Sequence, residues 1–160
     1  MLSVTQPTTM ITDYVLAAAG LAFGALLLRS RGGSKPALLW SIGFFAGGAA
    51  AAIGGTYHGF ALYFDEATHR ALWNSTAGLI GASAGFMISA GILGLPEAAA
   101  HNKRWLKAGL WVTLAGLAIQ QLRLSPNLNF NHNDLYHCVQ TVALFLFYKG
   151  AKSTCQCSFR

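Results

Sequence analysis

Five long apolar stretches, separated by short polar segments, occupy most of the chain. They cover about residues 11–28, 37–63, 71–95, 105–122 and 133–150. A helix needs roughly 20 apolar residues to cross a hydrocarbon layer of about 30 Å, and each stretch comes close to or exceeds that length. In lipid the backbone must satisfy its own hydrogen bonds, so apolar runs of this length predict helices. The predicted fold is all-α: a polytopic membrane helix bundle with about five transmembrane helices, forming a single transmembrane domain over residues 1–160.

Local signals place the breaks. Residues 1–10 read as a polar lead-in without regular structure, and Thr12 or Asp13 is expected to cap the first helix. Arg29-Ser30-Arg31-Gly32-Gly33-Ser34-Lys35-Pro36 predicts a basic turn. The second stretch is crowded with small residues, Gly43 and Gly47 among them, which let helices approach closely where lipid supplies no hydrophobic drive. Asp65-Glu66-Ala67-Thr68-His69-Arg70 predicts a polar loop. Gly78, Gly81, Gly85 and Ser89 form a small-residue face on the third span, and Pro96 helps to end it.

Composition supports the membrane reading. The chain is 54% hydrophobic and only 10% charged, whereas a soluble domain carries about a quarter charged residues. The formal charge of +6 does not signal nucleic acid, because the basic residues sit in short connections rather than in one patch. Nine of the eleven Lys and Arg residues fall on one side of a five-span topology: Arg29, Arg31, Lys35, Lys103, Arg104, Lys107, Lys149, Lys152 and Arg160. The positive-inside rule then puts the C-terminus in the cytoplasm and the N-terminus outside. Three cysteines make no disulfide framework; Cys138 reads as an ordinary helix residue, and Cys155 and Cys157 as free thiols.

Candidate chemistry gathers at the outer side. Asn131-His132-Asn133-Asp134-Leu135-Tyr136-His137 opens the fifth span, and His58 closes the second. His58 and His137 each lie about four residues inside their helix, about 6 Å below the same boundary. Asn133, His137, Gln140 and Thr141 share one helical face, which must meet protein or water rather than lipid. Gly54, one turn before His58, leaves space beside that imidazole. Asp134 lies in the first turn of its helix, where a carboxylate complements the helix dipole and can also orient His137.

Three chemistries suit such a site. Neutral imidazoles suit zinc, which His58 and His137 would bind with a third ligand from His132, Asp134, Asp65 or His69. A zinc-bound water could then attack an amide or ester in the outer leaflet. Alternatively, His58 and His137 ligate a haem or another pigment, with the small-residue face making room for a macrocycle. A third reading is a non-enzymatic subunit of a larger membrane complex, its polar stripe docking a partner helix.

One resemblance bears on this choice. Thr56-Tyr57-His58-Gly59-Phe60 resembles the Tyr/Phe-His element in the second core helix of the CREST superfamily of membrane hydrolases, which includes alkaline ceramidases and adiponectin-receptor-like proteins. Asn133-Asp134-Leu135-Tyr136-His137 is similar to that superfamily's last-helix H-x-x-x-H, with Asn133 in place of its first histidine. Gly54 stands where the family has a serine, and Asn74 or Ser75 where it has an aspartate. The resemblance implies a zinc-dependent hydrolase of a lipid-like amide or ester. His58, His137 and His132 would hold the metal, and Asp134 would be the catalytic acid–base residue. The pattern is also similar to that of small bacterial membrane proteins, implying a bacterial inner-membrane location.

Overall fold

The first helix starts at a proline. Pro7 occupies the first turn of α1 (Pro7–Ser30), where its missing N–H costs nothing. The chain then forms α2 (Lys35–Phe60), a 3₁₀ turn (Ala61–Tyr63), α3 (Glu66–Gly94), α4 (Ala100–Gln121) and α5 (His132–Cys155). These elements come from a computed structural model that describes residues 3–94, 100–127 and 129–155. Pro96, Cys157 and Arg160 lie outside the described residues.

The five expected helices form, and three of them, Pro7–Ser30, Lys35–Tyr63 and Glu66–Gly94, are long and apolar enough to cross a membrane. The other two have 22 and 24 residues but are more polar. Helix ends differ from the hydropathy limits by up to about a turn and a half. Residues 7–10 are helical, and Thr5 and Gln6 before them are anchored rather than free. The Thr5 amide donates to the Gly59 carbonyl at 3.0 Å and the Gln6 amide to the His58 carbonyl at 3.2 Å. The residue before α1 is Gln6, which makes no side-chain cap, so Thr12 and Asp13 lie inside the helix and do not cap it.

The expected loop over 65–70 is also mostly helix. Asp65 accepts the Thr68 amide at 2.8 Å and starts α3 at Glu66. The Thr68 side chain and backbone hold the Asp65 carboxyl below its usual range. Gly32 and Gly33 form the turn between α1 and α2 with φ of 51° and 87°, where a glycine carries no Cβ penalty. Ser34 then caps α2 by accepting the Ala37 amide.

Helix α1 packs on both α2 and α5, α2 on α3, and α5 on α4. Glycine decides how closely α1 and α2 approach. A Cβ on Gly20 would lie 3.0 Å from both the Gly48 Cα and the Phe44 carbonyl oxygen, so backbone meets backbone. Gly43 and Gly47 face α3 instead, against Ser83 and Met87, and the Ser83 hydroxyl donates to the Gly43 carbonyl at 2.8 Å.

The bundle is polarised along its axis. One end holds the apolar core, built from Leu27, Ala37, Trp40, Phe44, Ala90 and Ala151. The basic turn between α1 and α2 lies there, as do Lys149 and Lys152 at the end of α5. At the other end the starts of α1 and α5 meet the end of α2, and the buried residues there include Thr9, Asp13, Asp134 and His137.

Candidate functional site

Asn131 and Asp134 start α5 by capping each other. The Asn131 side-chain oxygen accepts the amides of Asn133 at 2.7 Å and Asp134 at 3.3 Å. In return Asp134 Oδ2 accepts the Asn131 amide at 2.7 Å. This is a capping box, which satisfies helix-end donors reciprocally. The other oxygen, Oδ1, accepts the Thr9 hydroxyl from α1 at 2.7 Å, and Asp134 is fully buried. The first-turn position expected for Asp134 is observed, and its carboxylate is engaged by Asn131 and Thr9.

One turn further along α5, His137 points at α1. Its Nε2 lies 3.3 Å from Asp13 Oδ1 and its Nδ1 3.2 Å from the Thr12 hydroxyl. The acid that contacts His137 is therefore Asp13 and not Asp134. Both partners are buried, with side-chain exposures of 11% for His137 and 5% for Asp13. An isolated charge at this depth is costly, and pairing is what makes it tolerable.

His58 belongs to the same cluster. It lies one turn after Gly54 on α2, and its backbone carbonyl accepts the Gln6 amide at 3.2 Å. Both histidines lie at the end of the bundle where α1 and α5 start and α2 ends. The space beside Gly54 is taken by Asp13: a Cβ there would lie 3.4 Å from the Asp13 Oδ2. Asp13 Oδ2 and His58 Nδ1 are buried without a hydrogen-bond partner among the described residues.

The remaining candidates have other surroundings in the fold: none hydrogen-bonds to Asp13 or His137 among the described residues. His132 is the first residue of α5, and its amide donates to the Ser125 hydroxyl at 3.1 Å. His69 Nε2 contacts the Ala61 carbonyl at 2.9 Å, and Asp65 caps α3. Among the described residues no three His, Cys, Asp or Glu side chains are arranged to hold a metal ion. The expected set of His58, His137 and His132 does not assemble, and the residues present do not fit the zinc site that the resemblance implies. The room expected for a haem or pigment along the α2 glycines is filled by α1 and α3.

The polar stripe on α5 divides between two neighbours. His137 faces α1, whereas Asn133 accepts the Gln120 side-chain amide at 2.7 Å and Gln140 donates to the Thr113 carbonyl at 3.3 Å, both on α4. Thr141 turns its hydroxyl back to its own helix, donating to the His137 carbonyl at 2.8 Å.

The sequence reading did not assign Thr9, Thr12 and Asp13 to the site. Thr9, Thr12 and Asp13 recur at i, i+3 and i+4, a single helical face, and this spacing is the signal that could have found them.

Fold and site together define an all-helical bundle with a buried Asp–His cluster at its polar end. The chain belongs to DUF6962, a family of unknown function, which matches residues 8–102 and 97–156. No curated protein and no solved structure matches the chain.

Proposed function

We propose that this is an integral membrane protein whose Asp13–His137 pair, with His58 beside it, takes up and releases a proton. In this reading it is a non-enzymatic, proton-handling component of a membrane assembly, with the polar end facing outward. The single observation behind it is the position of His137, held between the Thr12 hydroxyl and the Asp13 carboxylate.

Hydrogen-bond counting supports the reading. The Thr12 hydroxyl has one proton, which is directed to the Thr9 carbonyl at 3.0 Å. With that proton committed, His137 Nδ1 donates to the Thr12 oxygen. Nε2 then faces Asp13 Oδ1, and one proton lies between them, on the ring or on the carboxyl. Among the described residues Asp13 Oδ2 and His58 Nδ1 are buried without a hydrogen-bond partner. The carboxyl oxygen offers a further acceptor position for that proton, and so does His58 Nδ1 when that ring carries its proton on Nε2. Asp134 has both oxygens engaged and serves as the fixed neighbouring carboxylate. Ionisable groups at membrane depth are costly enough to suggest function by default.

The test is an infrared pH titration of the protein reconstituted in lipid. A carboxyl band that titrates in the wild type and disappears in Asp13→Asn, but persists in Asp65→Asn, is the expected result. An unchanged band in Asp13→Asn would overturn the assignment. Stoichiometric zinc in the purified protein, lost in His137→Ala, would overturn it in favour of a metal-dependent hydrolase. A Soret absorption band would overturn it in favour of a haem-ligating subunit.

A further inference from the structure

An open depression lies between α2 and the start of α3, lined by none of the Asp–His cluster residues. A cavity of about 360 Å³ is lined by Tyr57, His69, Arg70, Trp73 and Asn74. Its aromatic wall is pre-assembled. The Tyr57 ring meets His69 edge-on at 5.2 Å and lies 6.1 Å from Trp73, and the His69 ring is tied to the Ala61 carbonyl. Arg70 supplies a cation. Its charge partner is Glu66, one turn back on the same helix at 2.9 Å, and both side chains are largely exposed. Such a pair contributes little in water and leaves other guanidinium N–H groups free to bind a new acceptor.

The face of α3 that carries Arg70 and Asn74 continues as an apolar track. Arg70, Asn74, Gly78, Gly81 and Gly85 fall on one face of α3. Among the described residues, and apart from the helix's own adjacent backbone, nothing lies within 4 Å of where a Cβ would sit on Gly78, Gly81 or Gly85. Exposed Ile88 and Ile92 continue that face further along the helix. A cation and hydrogen-bond donors therefore lie within the first turns of α3, and a shallow glycine track leads away from them into its apolar part. Tyr and Trp at such a level favour a membrane–water boundary.

We propose that this cavity binds the headgroup phosphate of an anionic phospholipid, with one acyl chain lying along Gly78, Gly81 and Gly85. Charge complementarity selects the head, because Arg70, among the described residues that line the cavity, brings a permanent cation to it. The open glycine track selects a tailed molecule over free phosphate. The inference rests on the membrane part of the reading above and not on the proton-handling pair.

Native mass spectrometry of the delipidated protein tests it, after separate addition of phosphatidylglycerol, phosphatidylcholine and inorganic phosphate. One phosphatidylglycerol should be retained per chain, and Arg70→Gln should lower that retention about tenfold. Gly81→Leu, which fills the track without touching the cavity, should lower it as well. Equal retention of phosphatidylcholine, unchanged retention in Arg70→Gln, or displacement of the lipid by inorganic phosphate would each overturn the proposal. So would spontaneous cross-linking of two Gly81→Cys chains in phosphatidylglycerol membranes, which would make the track a helix–helix contact. Recovery of the wild-type chain in the soluble fraction without detergent would instead remove the membrane reading itself.

Discussion

The Asp13 carboxylate on the first helix meets the His137 imidazole on the last helix at 3.3 Å, with both side chains buried. Removing one partner leaves the other buried and unpaired, which typically costs about 3–5 kcal/mol. Asp13→Ala should therefore lower stability by about 3 kcal/mol or more, and Asp13→Asn by less, because the amide still reaches His137. In a double-mutant cycle Asp13→Ala and His137→Ala should couple by at least about 1 kcal/mol. Thermal unfolding in detergent measures both quantities, and additive single-mutant effects would refute a direct interaction.

Thr9 and Asn131 should differ in a graded way. Thr9→Val removes a hydroxyl that donates to a buried carboxylate at 2.7 Å. Hydrogen bonds to charged groups contribute about 1.5–3 kcal/mol. Asn131→Ala removes an N-cap, which costs about 1 kcal/mol. Equilibrium unfolding should rank Thr9→Val as the more damaging change, and the opposite order would show that Asp134 acts mainly as a cap.

Two glycines should respond oppositely to the same substitution. Gly20→Ala pushes a methyl group into the backbone of α2, which cannot rotate away, and should destabilise by about 1–3 kcal/mol. Gly81→Ala points into open space and should be neutral or stabilise the helix by roughly 0.5–1 kcal/mol in detergent. Melting temperatures of the two variants in one detergent would decide, and equal losses would contradict the packing of α1 on α2.

Acid should loosen the start of α3. The Asp65 carboxyl is held below its ordinary value of 3.8 by Thr68. A depressed folded value means that the contribution is present above the unfolded value and is lost as pH falls through the folded one. Hydrogen exchange at the Thr68 and His69 amides should therefore gain protection loss below about pH 4 relative to neutral pH, after correction for intrinsic rates. Asp65→Asn, a neutral cap, should show no such acid step. A step of equal size in Asp65→Asn would point to another group.

Much of the architecture was legible because apolar runs and turn residues act locally. The five helices follow from stretches that must hydrogen-bond internally, and Gly32 and Gly33 mark the first turn directly. The helix ends were less legible. Thr8, Thr9 and Glu66–Arg70 are polar yet helical, because first-turn residues are satisfied by water, caps and neighbouring segments. Hydropathy marks where side chains become polar, not where backbone hydrogen bonds stop.

The site was half legible. His58 and His137 share one end of the bundle because antiparallel helices of similar length bring their matching ends to one level. Asp13 was misplaced as a cap because it falls near a hydropathy boundary. Its pairing with His137 arises from α1 packing against both α2 and α5, and no local pattern reports which helices are neighbours.

The sequence by itself determined the helical class, the number of helices and the polar character of one end, since each follows from residues close in the chain. Tertiary structure alone decided that Asp13, and not Asp134 or His132, is the group at His137. It also decided that the α2 glycines receive helices α1 and α3. Both outcomes depend on which helix faces penetrate closest, and backbone contact at Gly20 and Gly48 sets that for α1 and α2.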